Sequence, residues 1–170
     1  MVPCRPPRVQ SACLVSAIEI AVFYTIAAAV MCWALGEAFE SRPFWTAGGL
    51  LALAHAVAAF LVFYEGSHET ARIEIMKQTA ASTGFDFPGG IYVNYAFLAT
   101  WLGDAAWWWA DARGYRTRPR LLSRAIRGFI FLMIVNGAIV FADGLARLVG
   151  LAAVSVVVAF WLARRTRPAY

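Results

Sequence analysis

The sequence predicts an all-α integral membrane bundle of five transmembrane helices, with one short extramembrane helix between the second and third. Three observations carry that expectation. The 170 residues are 61% hydrophobic and only 15% charged, where soluble domains carry roughly 25% charged residues. Mean hydropathy is +0.63. Several apolar runs reach the length of about 20 residues that a helix needs to cross hydrocarbon.

Residues 1–10, MVPCRPPRVQ, are expected to form a flexible tail that three prolines keep out of helix. The first span is then 12–35, interrupted by Glu19, too long for the core of a signal peptide and so read as retained. A connection with Glu37, Glu40 and Arg42 follows, and Pro43 suits the first turn of the second span, 44–64. Gly48, Ala52, Ala56 and Ala59 give that span a small-residue flank on which a neighbouring backbone can lie close. The short extramembrane helix begins after Ser67, an N-cap residue, and its pairs Glu69–Arg72 and Glu74–Lys77 have helical spacing. It is expected to end near Gly84.

The third span, 91–110, has tyrosines 92 and 95 at one end and tryptophans 107, 108 and 109 at the other, the aromatic belts of a membrane interface. Asn94, Trp101, Asp104 and Trp108 share one stripe of it, which should face the bundle. A basic connection leads to the fourth span, 121–142, and the tight join at Asp143–Gly144 turns into the fifth, 147–163. Residues 164–170 form a basic tail. The whole of 11–163 reads as one transmembrane domain.

The net charge of +5 does not indicate nucleic acid. Fourteen of the fifteen cations are arginines placed beside the apolar runs, as topology determinants are. With five spans, ten of the fifteen lie on the side holding 36–43, 111–127 and the C-tail. The positive-inside rule puts that side in the cytoplasm and the N-terminus outside. An alanine–arginine bias suggests a bacterial inner membrane. Cys4, Cys13 and Cys32 are odd in number and lack metal-ligand spacing.

Ionisable or strongly polar groups inside a span are functional candidates by default. Counted at 1.5 Å per residue, Glu19, His55 and Asn136 lie roughly 10–13 Å below the outer surface on three helices, and are expected to converge in one layer. Asp104 and Arg127, each about 9 Å from the inner side, are expected to form an ion pair between adjacent helices. Asp143 is placed to pair with Arg147.

Other chemistry has less support. Glu65 and His68 match one Glu-x-x-His element, whereas a di-iron bundle needs two. With Glu69 and Asp143 they form a metal candidate at the outer mouth. The two histidines lie about 20 Å apart along one helix, which does not suit one haem. No serine sits in a nucleophile elbow. The leading expectation is therefore a non-enzymatic accessory or oligomeric subunit acting through helix packing, with the bilayer and a homo-oligomer or membrane-complex partner as its contacts. No cofactor is expected. The alternatives are a transporter or proton-linked subunit using Glu19, His55 and Asn136, and a membrane enzyme or metal-binding protein using Glu65, His68 and Glu69.

Overall fold

A computed structural model describes the backbone of residues 7–165 and the side chains of 22–164. The described chain is helical: α1 (Pro7–Phe39), α2 (Arg42–Phe63), α3 (His68–Thr83), α4 (Gly90–Ala110), α5 (Ala112–Thr117), α6 (Arg120–Val135), a π-helical turn (Asn136–Val140) and α7 (Gly144–Arg165). Four segments are long and apolar enough to cross a membrane: Val22–Phe39, Arg42–Phe63, Arg120–Val140 and Gly144–Arg164. α4 is as long as these, but Asn94, Asp104 and its many tyrosines and tryptophans lower its hydropathy, and it is not among the four.

Several boundaries differ from those expected. α1 begins at Pro7 rather than at residue 12, because proline in a first turn has no N–H to lose. The basic connection contains the short helix α5, started by the Asp111 carboxylate, which accepts from the Gly114 amide at 2.8 Å. α6 gives way at Asn136 to i→i+5 bonding, with the Phe141 N–H donating to the Asn136 carbonyl at 3.0 Å. α7 starts at Gly144, three residues before the expected position.

α1 packs along α2, α4 lies between α2 and α6, and α7 returns against α1 and the π-turn. The core is built largely of tryptophan. Trp33, Trp45 and Trp101 are all but fully buried, and Trp45 and Trp101 meet with ring centroids 5.6 Å apart. The Trp101 indole N–H donates to the Trp45 carbonyl at 3.0 Å.

Two glycines make the close approaches possible. A Cβ on Gly48 would stand 2.7 Å from Trp101 Cζ2 and 3.2 Å from the Ala29 carbonyl oxygen. One on Gly150 would run into the Ala138 carbonyl, so α7 reaches the π-turn only because that side chain is missing. Between helices in lipid, contact of this kind replaces the hydrophobic effect as the source of association. The outward side of α2 carries Leu50, Leu53, Val57 and Leu61, all exposed and on one stripe. A surface like that suits acyl chains better than water.

Candidate functional site

Two polar regions occupy the two ends of the bundle. At the first, α1, α4 and α7 end while α2 and α6 begin. The Asp104 carboxylate is fully buried there. Its Oδ1 is in contact with Arg118 Nη1, and its Oδ2 accepts from the Tyr115 hydroxyl at 2.9 Å. The Arg118 Nε donates to Ser123 Oγ at 2.7 Å. Its guanidinium lies 3.9 Å over the Tyr115 ring, which itself stacks on Trp108 at 4.5 Å. Burial first, and then the Asp104 charge and hydrogen bond, push the Tyr115 phenol up to about 12.

The expected partner of Asp104 is therefore corrected from Arg127 to Arg118. Arg118 sits in the extended backbone after α5 and folds back under α4, whereas Arg127 points towards α1. There its Nη1 stands 3.6 Å from the buried Glu37 Oε2, which also accepts from the Trp161 indole N–H at 3.3 Å. Glu37 Oε1 and Arg127 Nε have no hydrogen-bond partner among the described residues. Arg42 lies 3.8 Å over the Trp109 ring and donates to the Trp108 carbonyl at 3.3 Å, and Arg164 reaches Glu40 and the Ala38 carbonyl. The carboxylates here tie α4 to the α5 segment and the end of α1 to α6 and α7.

Sequence reasoning missed Glu37 and Arg118 because both sit in stretches read as connections. The available signal was the crowding of six arginines between residues 113 and 127, more than topology alone requires.

The second region is a half-open cavity of about 490 Å³ between α1, α2, α3, α4 and the junction of α6 with the π-turn. His55, Asn94, Asn136, Tyr64, Gln78, Thr79 and Tyr95 are its polar lining, and Ala52, Ala56, Ala59, Leu98 and Trp101 belong to its apolar wall. No Lys, Arg, Asp or Glu is among its described lining residues. His55 is half-buried, and its Nδ1 lies 3.0 Å from the Val22 carbonyl. A carbonyl can only accept, so Nδ1 carries a proton, and in the neutral imidazole Nε2 presents a lone pair.

His55 and Asn136 thus share one cavity. Glu19, the third member of the expected layer, lies three residues before Val22 in α1, and its side chain falls outside the described residues. Of the expected inner stripe of α4, Trp101, Asp104 and Trp108 are buried, while Asn94 is exposed at the cavity mouth.

The proposed metal group does not assemble. No three of its members, nor any other three His, Cys, Asp or Glu, gather among the described residues. The His68 Nδ1 lies 3.1 Å from the Tyr95 hydroxyl. The hydrogen bonds from Arg72 hold Glu69 below its usual carboxylate range. Asp143 pairs with Arg147 at 3.1 Å on another helix end. Comparison with protein-family models, with curated proteins and with solved structures finds no match.

Proposed function

We propose that this chain is a five-span membrane protein that binds a small apolar molecule in an intramembrane cavity, without chemical conversion, for storage or carriage. The cavity lined by His55, Asn94 and Asn136 carries the reading, since a bundle that acted only by packing would have no reason to keep about 490 Å³ open beside three polar side chains. The crossing of α4 is part of the proposal. α4 ends where α2 begins, at the Arg42–Trp109 contact, and starts beside Tyr64, where α2 has ended. Its 21 residues rise about 31 Å, so it runs antiparallel to α2 along its whole length. The arginine-rich end then faces the cytoplasm of a bacterial inner membrane, and the cavity lies towards the outer side.

Photolabelling with a small apolar diazirine in lipid nanodiscs tests this. Label is expected on the α2, α4 and π-turn segments that line the cavity, and filling the space with Ala59→Phe should remove it there. Label confined to the outward stripe of Leu50, Leu53, Val57 and Leu61 would defeat the proposal. The accessory-subunit reading, which acts through helix packing, would need a partner on that stripe, for which lipid alone suffices. A strictly monomeric species in mild detergent counts against it.

A further inference from the structure

We infer that the occupant of the cavity is an uncharged lipid alcohol: a molecule with an apolar body and one terminal hydroxyl. The inference rests on the reading of the cavity as a binding site and adds the chemistry of what enters.

Charge decides the first half. Among the described residues lining the cavity there is no Lys, Arg, Asp or Glu. The arginines in ion pairs with Glu37, Glu40 and Asp104 all stand at the opposite end of the bundle. A phosphate, carboxylate or ammonium headgroup would leave water with no countercharge among the described residues to meet it, and such a transfer is strongly unfavourable. The walls, by contrast, are alanine, leucine, phenylalanine and tryptophan along most of their length. A neutral, mainly hydrocarbon body fits them, and the volume is in the range of about 300–1,000 Å³ typical of small-molecule sites.

Hydrogen-bond polarity decides the second half. Because Nδ1 of His55 donates to the Val22 carbonyl, Nε2 of the neutral imidazole is an acceptor, and no donor reaches it among the described residues. The Thr25 hydroxyl also donates to that carbonyl, at 2.8 Å, and so has its own hydrogen used there. The side-chain amides of Asn94 and Asn136 likewise make no hydrogen bond among the described residues. Asn136 opens the π-turn, a distortion of the kind found disproportionately at functional sites. A hydroxyl satisfies this set as an ether or ketone cannot. It donates to Nε2 of His55 and accepts an amide N–H from an asparagine, so both of its roles are met.

The test measures displacement of the diazirine label from the cavity of the full chain in nanodiscs by dodecanol, by dodecyl methyl ether and by dodecanoate. Dodecanol is expected to compete at about tenfold lower concentration than the ether, the scale of one net hydrogen bond. Dodecanoate is expected to be the weakest. In His55→Asn the amide N–H takes the place of Nδ1–H towards Val22 while the Nε2 acceptor is lost, and the gap between alcohol and ether should close. Equal competition by alcohol and ether in the unaltered chain would overturn the hydroxyl assignment while leaving the binding site intact. Strongest competition by dodecanoate would overturn the neutral one. Should none of the three displace label from the cavity, the proposed function itself fails. The three-ligand comparison on the unaltered chain decides the outcome even where His55→Asn does not fold.

Discussion

Removing the guanidinium from Arg118 would strand a carboxylate in the interior of the bundle. The Asp104 side chain has no solvent exposure and Arg118 has 2%, so water cannot replace the missing partner. Arg118→Met keeps the stem over Tyr115 and leaves Asp104 with one hydrogen bond, from the Tyr115 hydroxyl. Breaking a buried pair from one side costs about 3–5 kcal/mol, most of it from the uncompensated charge that remains. Asp104→Leu alone should cost a similar amount, leaving Arg118 buried with Ser123 as its remaining hydrogen-bond partner. The double variant removes both charges, and its cost should be smaller than either single cost. Adding Tyr115→Phe removes the hydroxyl that the double variant orphans and should recover about 1 kcal/mol more. The measurement is reversible unfolding of purified protein in mixed detergent, followed by circular dichroism. Single costs below about 1 kcal/mol, or a double cost equal to the sum, would refute the claim that these charges are desolvated and coupled.

Three further outcomes are expected. Gly48→Ala puts a methyl group 2.7 Å from Trp101 Cζ2 and should destabilise the bundle by about 1–3 kcal/mol in the same unfolding assay. Tyr115 should ionise only at about pH 12, so its contribution to stability is full below pH ~10, where the unfolded tyrosine is still neutral, and is lost as pH rises towards 12. Ultraviolet titration of the protein against Tyr115→Phe reads that late step. Ser67→Ala removes the side chain that accepts the Thr70 amide at 3.2 Å and should cost α3 about 1 kcal/mol, seen as faster amide exchange at its first turn.

Local chemistry at helix ends made much of the helix chart readable. Pro43 marks the start of α2, Ser67 caps α3, and α3 stops at Gly84. Glu69–Arg72 and Glu74–Lys77 form at the spacing a helix dictates. Depth along a helix is also readable, since it needs only a rise per residue, and it brought His55 and Asn136 to one cavity. What could not be read is lateral reach through irregular chain. Arg118 lies outside any helix, so counting depth from helix ends gave it no position, and Arg127 stood in its place. Glu37 seemed to belong to a loop, yet α1 runs on to Phe39 and carries it inside. The π-turn leaves no pattern in side-chain periodicity over five residues. It packs Ala138 against Gly150, a contact between segments.

A turn with i→i+5 bonding holds one residue more than an α-helix would over the same rise. Each residue turns a helix by about 100°, so the surplus rotates everything that follows Val140 relative to a straight continuation of α6. Shortening the chain by one residue between 137 and 140 would thus erase no contact-making side chain of α7, yet it would swing the whole final hairpin away from α1. Insertions and deletions at this seam carry a penalty out of proportion to their size, while the same change in the exposed stretch after Gly84 would be absorbed.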